Sequence, residues 1–424
     1  MGSDQSIYNV ESTLLTAAVS AAVLVLLVRV LGRKRPGLSI GRPMAVAFAA
    51  RVLTAAAVSL TSIAHQIRGP DELGFLDQAS KAAGGSLTSP GSITFLKSAL
   101  HVWVMSLQDR VLGDIPDLSL RMTQVGLAVA GLTLLSVAVY DLAGPGPARV
   151  AAWIVALEPA GVFFSSILHK EPLMFLAAGL VAYGGARLWT SGRLTALVPM
   201  AIGVAAAYAT RQYVGVFLAA AAFAIVLHAS LTRYNAGRSP GLAVAVLLAG
   251  VLAIPVALHL TSGARLAQLQ YSQNANATDS SNLPLERVDF SSRQAVVVNL
   301  PRRMVDVLTR PYPWQLANTS QRLGLIGTAV SLALLGLVLV SAAGASAAMQ
   351  RAGPLVYITL GLLAAYGLSA GNAGTAFRYR THVVAFLACL AAALWPVRAE
   401  RRAARTRSRE EIAQPAPAPI LARS

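Results

Sequence analysis

Residues 120–142 read LRMTQVGLAVAGLTLLSVAVYDL, and residues 12–31 read STLLTAAVSAAVLVLLVRVL. Each is an apolar run with few charges, and about 20 such residues make a helix that crosses the hydrocarbon core of a bilayer. Comparable runs recur along the chain. Spans are predicted at 12–31, 43–64, 120–142, 149–168, 172–189, 194–210, 212–230, 240–260, 323–342, 354–370 and 383–396, about eleven by the length criterion. The last of these is short for a crossing. The fold class expected is an all-α polytopic membrane protein.

Composition leads to the same class. The 424 residues are 55% hydrophobic and 12% charged, against about 25% charged in a soluble domain. That excludes an ordinary soluble enzyme and also a disordered chain. A lone cysteine, Cys389, excludes a disulfide framework and a Cys-based zinc site. The net charge of +17 comes from 35 Lys and Arg against 18 acids. These basic residues lie between apolar runs rather than on one soluble domain, which argues against a nucleic-acid partner.

Charge also predicts sidedness. The first run is preceded by Asp4 and Glu11 and followed by Arg33, Lys34 and Arg35, so it does not read as a cleavable signal. The positive-inside rule puts that cluster, with Arg42, in the cytoplasm. It places there too the tail carrying Arg398, Arg401, Arg402, Arg405, Arg407 and Arg409. Residues 1–11 are then outside a multi-pass protein of the cell membrane. The domain plan is a transmembrane body over 12–396 with two long external segments, 65–119 and 261–322. Residues 97–112 are too polar to cross and are expected as an external amphipathic helix on the interface. The tail, 397–424, is basic, then Pro/Ala-rich, and is expected to be disordered.

The external segments carry the chemistry-bearing side chains. Gly69-Pro70 is a turn signal followed at once by Asp71 and Glu72. A carboxylate at the membrane surface is suited to taking a proton from an acceptor hydroxyl; the plainer alternative is solvation of a loop or capping of a helix. His169, Lys170 and Glu171 form a tight turn between two spans. Arg211 lies between two others, and Arg378, Arg380 and His382 precede the last. Arginine suits phosphate through its planar fork of donors, and it also serves as an interfacial anchor. Within the membrane, Arg51 and Glu158 sit at matching depth, which predicts a structural ion pair. Arg302, Arg303 and the run Arg310-Pro311-Tyr312-Pro313-Trp314 add cations and aromatics to the 261–322 segment. No His, Cys, Asp and Glu spacing defines a metal site.

These residues resemble a family. Asp71-Glu72-Leu73-Gly74-Phe75 looks like the acidic first external loop of the GT-C membrane glycosyltransferases. It is most similar to that of the protein O-mannosyltransferases and the lipid A aminoarabinose transferases. Phe75 stands where that loop carries Tyr. Lys97, Leu100 and Trp103 match a Lys-Pro-Pro-Leu-x-x-Trp pattern, with Ser98 and Ala99 in place of the prolines. Arg121 matches an Arg that opens the next span. Pro159 to Glu171, with Phe163, Ser165, Ser166 and Lys170, resembles a segment ending in a second acid, and Phe377-Arg378-Tyr379-Arg380 also looks familial.

The resemblance implies a GT-C-like fold and an inverting transfer from a polyprenyl-phosphate-linked sugar on the outer face of the membrane. Asp71 would be the base, with Glu72 its neighbour. Glu171 would orient the acceptor or a divalent cation. Lys97, Lys170, Arg211, Arg378 and Arg380 would hold the donor, whose departing phosphate gains charge. The acceptor would be a glycan, lipid or protein. Two other functions remain open. A polysaccharide polymerase or ligase on lipid-linked glycans would centre on 261–322, and a lipid or glycan transporter would line a polar path through the bilayer.

Overall fold

Wherever the chain is apolar over about 20 residues, backbone groups without water can be satisfied only within a helix, and helices carry the fold. The structure is a computed structural model that describes residues 2–60, 70–84, 99–113, 116–234, 262–278, 285–316, 319–342 and 345–413. In chain order the helices are α1 (Gly2–Gly32), α2 (Gly41–Leu60), α3 (Pro70–Gly84), α4 (Ala99–Leu112), α5 (Asp117–Ala143), α6 (Pro145–Leu157), α7 (Pro159–Phe164) and α8 (Glu171–Ser191). There follow α9 (Leu197–Thr210), α10 (Gln212–Tyr234), α11 (Gly263–Thr278), α12 (Arg293–Thr309), α13 (Thr319–Ser341), α14 (Ala345–Ser369) and α15 (Ala373–Ala413). No β-strand occurs among the described residues.

Eight of these helices are long and apolar enough to cross a membrane: α1, α2, α5, α8, α10, α13, α14 and α15. The count expected from sequence was larger, and three runs account for the difference. The run at 149–168 is not one helix. Proline at position 159 and the extended backbone of Glu158 end α6, and the Glu158 carboxylate accepts from Ala160 N at 3.1 Å and from Gly161 N to start α7. The run at 194–210 is an apolar helix of under 18 residues. The run at 240–260 lies outside the described residues, as do His65, Arg68 and Lys97. The last span is longer than expected, because its apolar stretch starts at Ala373 and reaches Trp395.

That last helix is the axis of the bundle. Of its apolar stretch 89% is buried, against 17% for α1 at the periphery. Small residues let the other helices close in, as expected where lipid offers no hydrophobic drive between helices. A Cβ on Gly131 of α5 would fall into the backbone of Phe175 in α8, and one on Gly179 into Gly131 O. The two helices therefore touch main chain to main chain.

The connections sort into two ends. At one end Arg35 donates to both carboxylate oxygens of Asp141 at 2.7 Å, Tyr140 Oη donates to Pro36 O, and Trp189 Nε1 donates to Gln350 O. The short loops and the basic cluster gather there. At the other end α3 and α4 pack through Phe75, Ala79, Val102 and Met105 onto Leu120 and Leu168. Leu285 N donates to Gly371 O at 3.2 Å, in the turn between α14 and α15.

Two further expectations are revised, and a third is met as to its helix. The tail was expected to be disordered, but α15 continues as helix to Ala413, while 414–424 lies outside the described residues. The amphipathic segment does form a helix, α4, beginning at Ala99. Arg51 and Glu158 do not pair directly. Arg51 donates to Ser165 Oγ at 2.7 Å and to the carbonyls of Ala47, Ala156 and Val155, because Glu158 is taken by the α7 amides.

Candidate functional site

Asp71 and Glu72 occupy the first turn of α3, where the helix dipole favours a carboxylate. Neighbours on a helix point about 100° apart, since 3.6 residues make a turn, and the two acids part company. Glu72 turns inward and is buried against Arg121 of α5, which also donates to Ser166 O at 3.3 Å. Asp71 faces outward, 55% exposed, and its Oδ2 accepts from Arg378 Nη1 at 2.9 Å.

Arg378, near the start of α15, is the hub. Its Nη1 also lies 3.0 Å from His169 Nδ1. A guanidinium only donates, so Nδ1 is the acceptor and His169 is the neutral Nε2–H tautomer. Its Nε lies 3.2 Å from Glu171 Oε1, within ion-pair reach though outside hydrogen-bond geometry. Glu171, fully buried at the start of α8, accepts from Arg211 Nη2 at 2.6 Å through the same oxygen, while its Oε2 has no hydrogen-bond partner. Arg211 sits in extended backbone between α9 and α10 and lays its guanidinium 4.5 Å from the centre of the Tyr379 ring. Its Nη1 is buried without a partner. Lys170 places Nζ 5.0 Å above the Phe75 ring, which meets His101 edge-on.

The electrostatics follow from burial among like charges. Burial, then the Arg211 and Arg378 charges, pull the Lys170 ammonium down to about 7. Burial and Arg378 press His169 down to about 4, and burial with Lys170 and His169 presses His101 to about 3, so both imidazoles are neutral at pH 7. Burial works to raise the Asp71 carboxyl, but Arg378 more than offsets it and holds the group below the usual range. Burial likewise opposes the Arg211 charge, and Glu171 outweighs it. At neutral pH the two carboxylates balance the two arginines, and Lys170 decides the net charge.

A buried layer fixes this cluster from below. His382 Nε2 lies 3.2 Å from Glu171 O, and its Nδ1 lies 2.9 Å from Tyr366 Oη. Tyr366 stacks on Tyr379 with ring centroids 4.9 Å apart. Tyr366 is the member that sequence reasoning missed. Its only mark was a tyrosine four residues inside the end of an apolar run.

Asp71, Lys170, Glu171, Arg211 and Arg378, drawn from four separate stretches of chain, thus meet at one end of the bundle. Two expected members do not join them. Glu72 is buried against Arg121, turned away from the Asp71–Arg378 contact. Arg380 points the other way, donating to Leu308 O, Arg310 O, Gly324 O and Thr328 Oγ1 at 2.9–3.1 Å, so its donors are already engaged by α12 and α13. Glu171 holds two arginines and is shielded from solvent. Among the described residues no group of three or more His, Cys, Asp or Glu is placed to hold a metal. Each carboxylate of the cluster, Asp71 and Glu171, has an arginine partner.

Comparison with known protein families, with curated proteins and with solved structures finds no match.

Proposed function

We propose that the chain is a membrane glycosyltransferase of GT-C type, moving a sugar from a prenyl-phosphate-linked donor to an acceptor hydroxyl at the outer membrane face. The observation that carries this reading is the exposed Asp71 carboxylate beside Arg378, with Lys170 and Arg211 around it, at one end of a helical bundle. An exposed carboxylate can take a proton, and clustered cations can hold a lipid phosphate where the headgroup lies. In the reaction the acceptor oxygen bonds to the anomeric carbon as its proton passes to Asp71. The bond from that carbon to the phosphate oxygen breaks, and its electron pair stays on the phosphate. Arg378, Lys170 and Arg211 oppose the charge that develops there, in a site of low dielectric.

Two observations favour this centre over the alternatives. Arg303 and Arg310 pair with Asp306, and Arg302 and Arg310 with Glu286, within their own segment, which does not suit a ligase centred on 261–322. Arg51 is engaged by carbonyls and Ser165 rather than lining a path, which does not suit a transporter. The test is release of sugar from a prenyl-phosphate-sugar in membranes carrying wild type or Asp71→Asn, using the donor that mass spectrometry finds accumulating when the protein is deleted. Turnover should fall about 10²-fold or more in the variant. Full turnover by Asp71→Asn removes the reading.

A further inference from the structure

An inverting displacement needs the attacking oxygen, the anomeric carbon and the leaving oxygen in line, so base and phosphate belong on opposite sides of the sugar. The site does not have that arrangement in this structure. Asp71 sits directly on Arg378, the cation best placed for the phosphate. The two contacts that Arg378 makes with carboxylates are unequal. Glu171 is fully buried and shared with Arg211, whereas Asp71 is 55% exposed on the first turn of a short helix. Exposed ion pairs hold weakly, and a phosphate matches the guanidinium fork better than one carboxylate oxygen does.

We propose that the Asp71–Arg378 contact is an anion-operated latch: a phosphate group arriving at Arg378 displaces the Asp71 carboxylate, which then turns to the acceptor as a free base. The inference rests on the transferase reading of the same site. It explains why a base would be held by arginine at all. Without donor the carboxylate is tied and its basicity is suppressed by the Arg378 charge. With donor the guanidinium exchanges one anion for another, and like charge pushes Asp71 away from the phosphate. The buried Glu171 keeps Arg378 in place throughout, so the acid moves and the arginine stays. Base activation is thereby coupled to donor occupancy.

The test uses the full chain in detergent with farnesyl phosphate, and separately with inorganic phosphate, as probes. Binding is read by calorimetry, and the reactivity of Asp71 by carbodiimide labelling with peptide mass spectrometry, with buried Glu171 as internal reference. Farnesyl phosphate should raise Asp71 labelling while Glu171 stays unlabelled. A rise with inorganic phosphate as well assigns the trigger to the phosphate group alone; a rise with farnesyl phosphate only assigns it to the phosphate seated by its lipid tail. As a second measurement, Asp71→Asn should bind farnesyl phosphate about two- to fivefold more tightly, since a weak competing ion pair is gone. Binding without a change in Asp71 labelling, or unchanged affinity in Asp71→Asn, overturns the latch and leaves the transferase reading standing. No binding of farnesyl phosphate to wild type overturns both.

Discussion

Glu72 and Arg121 form an ion pair that is closed to solvent on both sides, with 1% and 0% of their side chains exposed, one residue away from the exposed Asp71. The pair ties the first turn of α3 to α5, and through Ser166 O to the segment that presents His169 and Lys170. It sets the stage on which the outward-facing acid stands.

Removing one partner of a buried pair leaves the other charge without compensation, which costs about 3–5 kcal/mol. Glu72→Gln should therefore lower the thermal unfolding midpoint in detergent, with sugar transfer per folded molecule changed far less than in Asp71→Asn. Replacing both partners by Gln and Met should restore part of the stability. A Glu72→Gln protein of normal stability without activity would make Glu72 a reacting group after all.

Arg378 and Arg380 are two residues apart and predict opposite phenotypes. Arg378→Lys keeps the charge but loses the fork, so it should retain part of the turnover, and Arg378→Ala very little. Arg380 serves three carbonyls and Thr328 Oγ1 that tie α12, α13 and α15 together. A lysine cannot reach them all, so Arg380→Lys should reduce stability while the surviving folded protein keeps its KM for the donor. The comparison requires unfolding midpoints and donor kinetics from the same preparations. Loss of donor affinity in a stable Arg380→Lys would return that arginine to the site.

Much of this arrangement was legible in the sequence for a definite reason. Apolar run length is a local property, and it pointed to the eight helices long enough to cross because bilayer thickness sets helix length. The loop acids and arginines stood out because charge is rare in this chain. What a local pattern cannot show is the direction of a side chain on a short helix. Asp71 and Glu72 are alike in sequence, and only the packing of α3 on α5 sends one to solvent and the other to Arg121. The same holds for Arg378 and Arg380. The break at Glu158 was signalled by Pro159, yet continuous hydropathy across 149–168 hid it. Tyr366 and His382 escaped a role because their partners lie on other helices.

The grouping of loops predicts what an impermeant reagent will meet. Cys389 is fully buried, and replacing it with Ser removes the remaining thiol. A cysteine at Tyr271, 75% exposed on α11 at the site end, should then react with an impermeant maleimide in intact cells. A cysteine at Ser191, exposed at the opposite end, should react only after lysis. The reverse pattern would put the Asp71 cluster on the cytoplasmic side, where an externally displayed acceptor could not reach it.

Lys170 sets the pH dependence. Its ammonium is lowered to about 7 by burial and by Arg211 and Arg378, whereas His169 at about 4 and His101 at about 3 are already neutral. Asp71 is ionised well below neutrality, Arg211 keeps its charge, and a phosphodiester donor does not change charge near pH 7. As pH rises through 7 the site therefore loses one positive charge, and it loses it at Lys170. The KM for the donor should rise about tenfold between pH 6 and pH 9, the scale of one nearby charge in a partly screened site. Lys170→Arg should flatten that profile, and Lys170→Met should hold the donor weakly at every pH. Unfolding is not the cause of the expected loss. Folded Lys170 binds its proton less tightly than the unfolded chain does, so its contribution to stability increases as pH rises above about 7. A donor KM that is independent of pH in wild type would separate Lys170 from the phosphate.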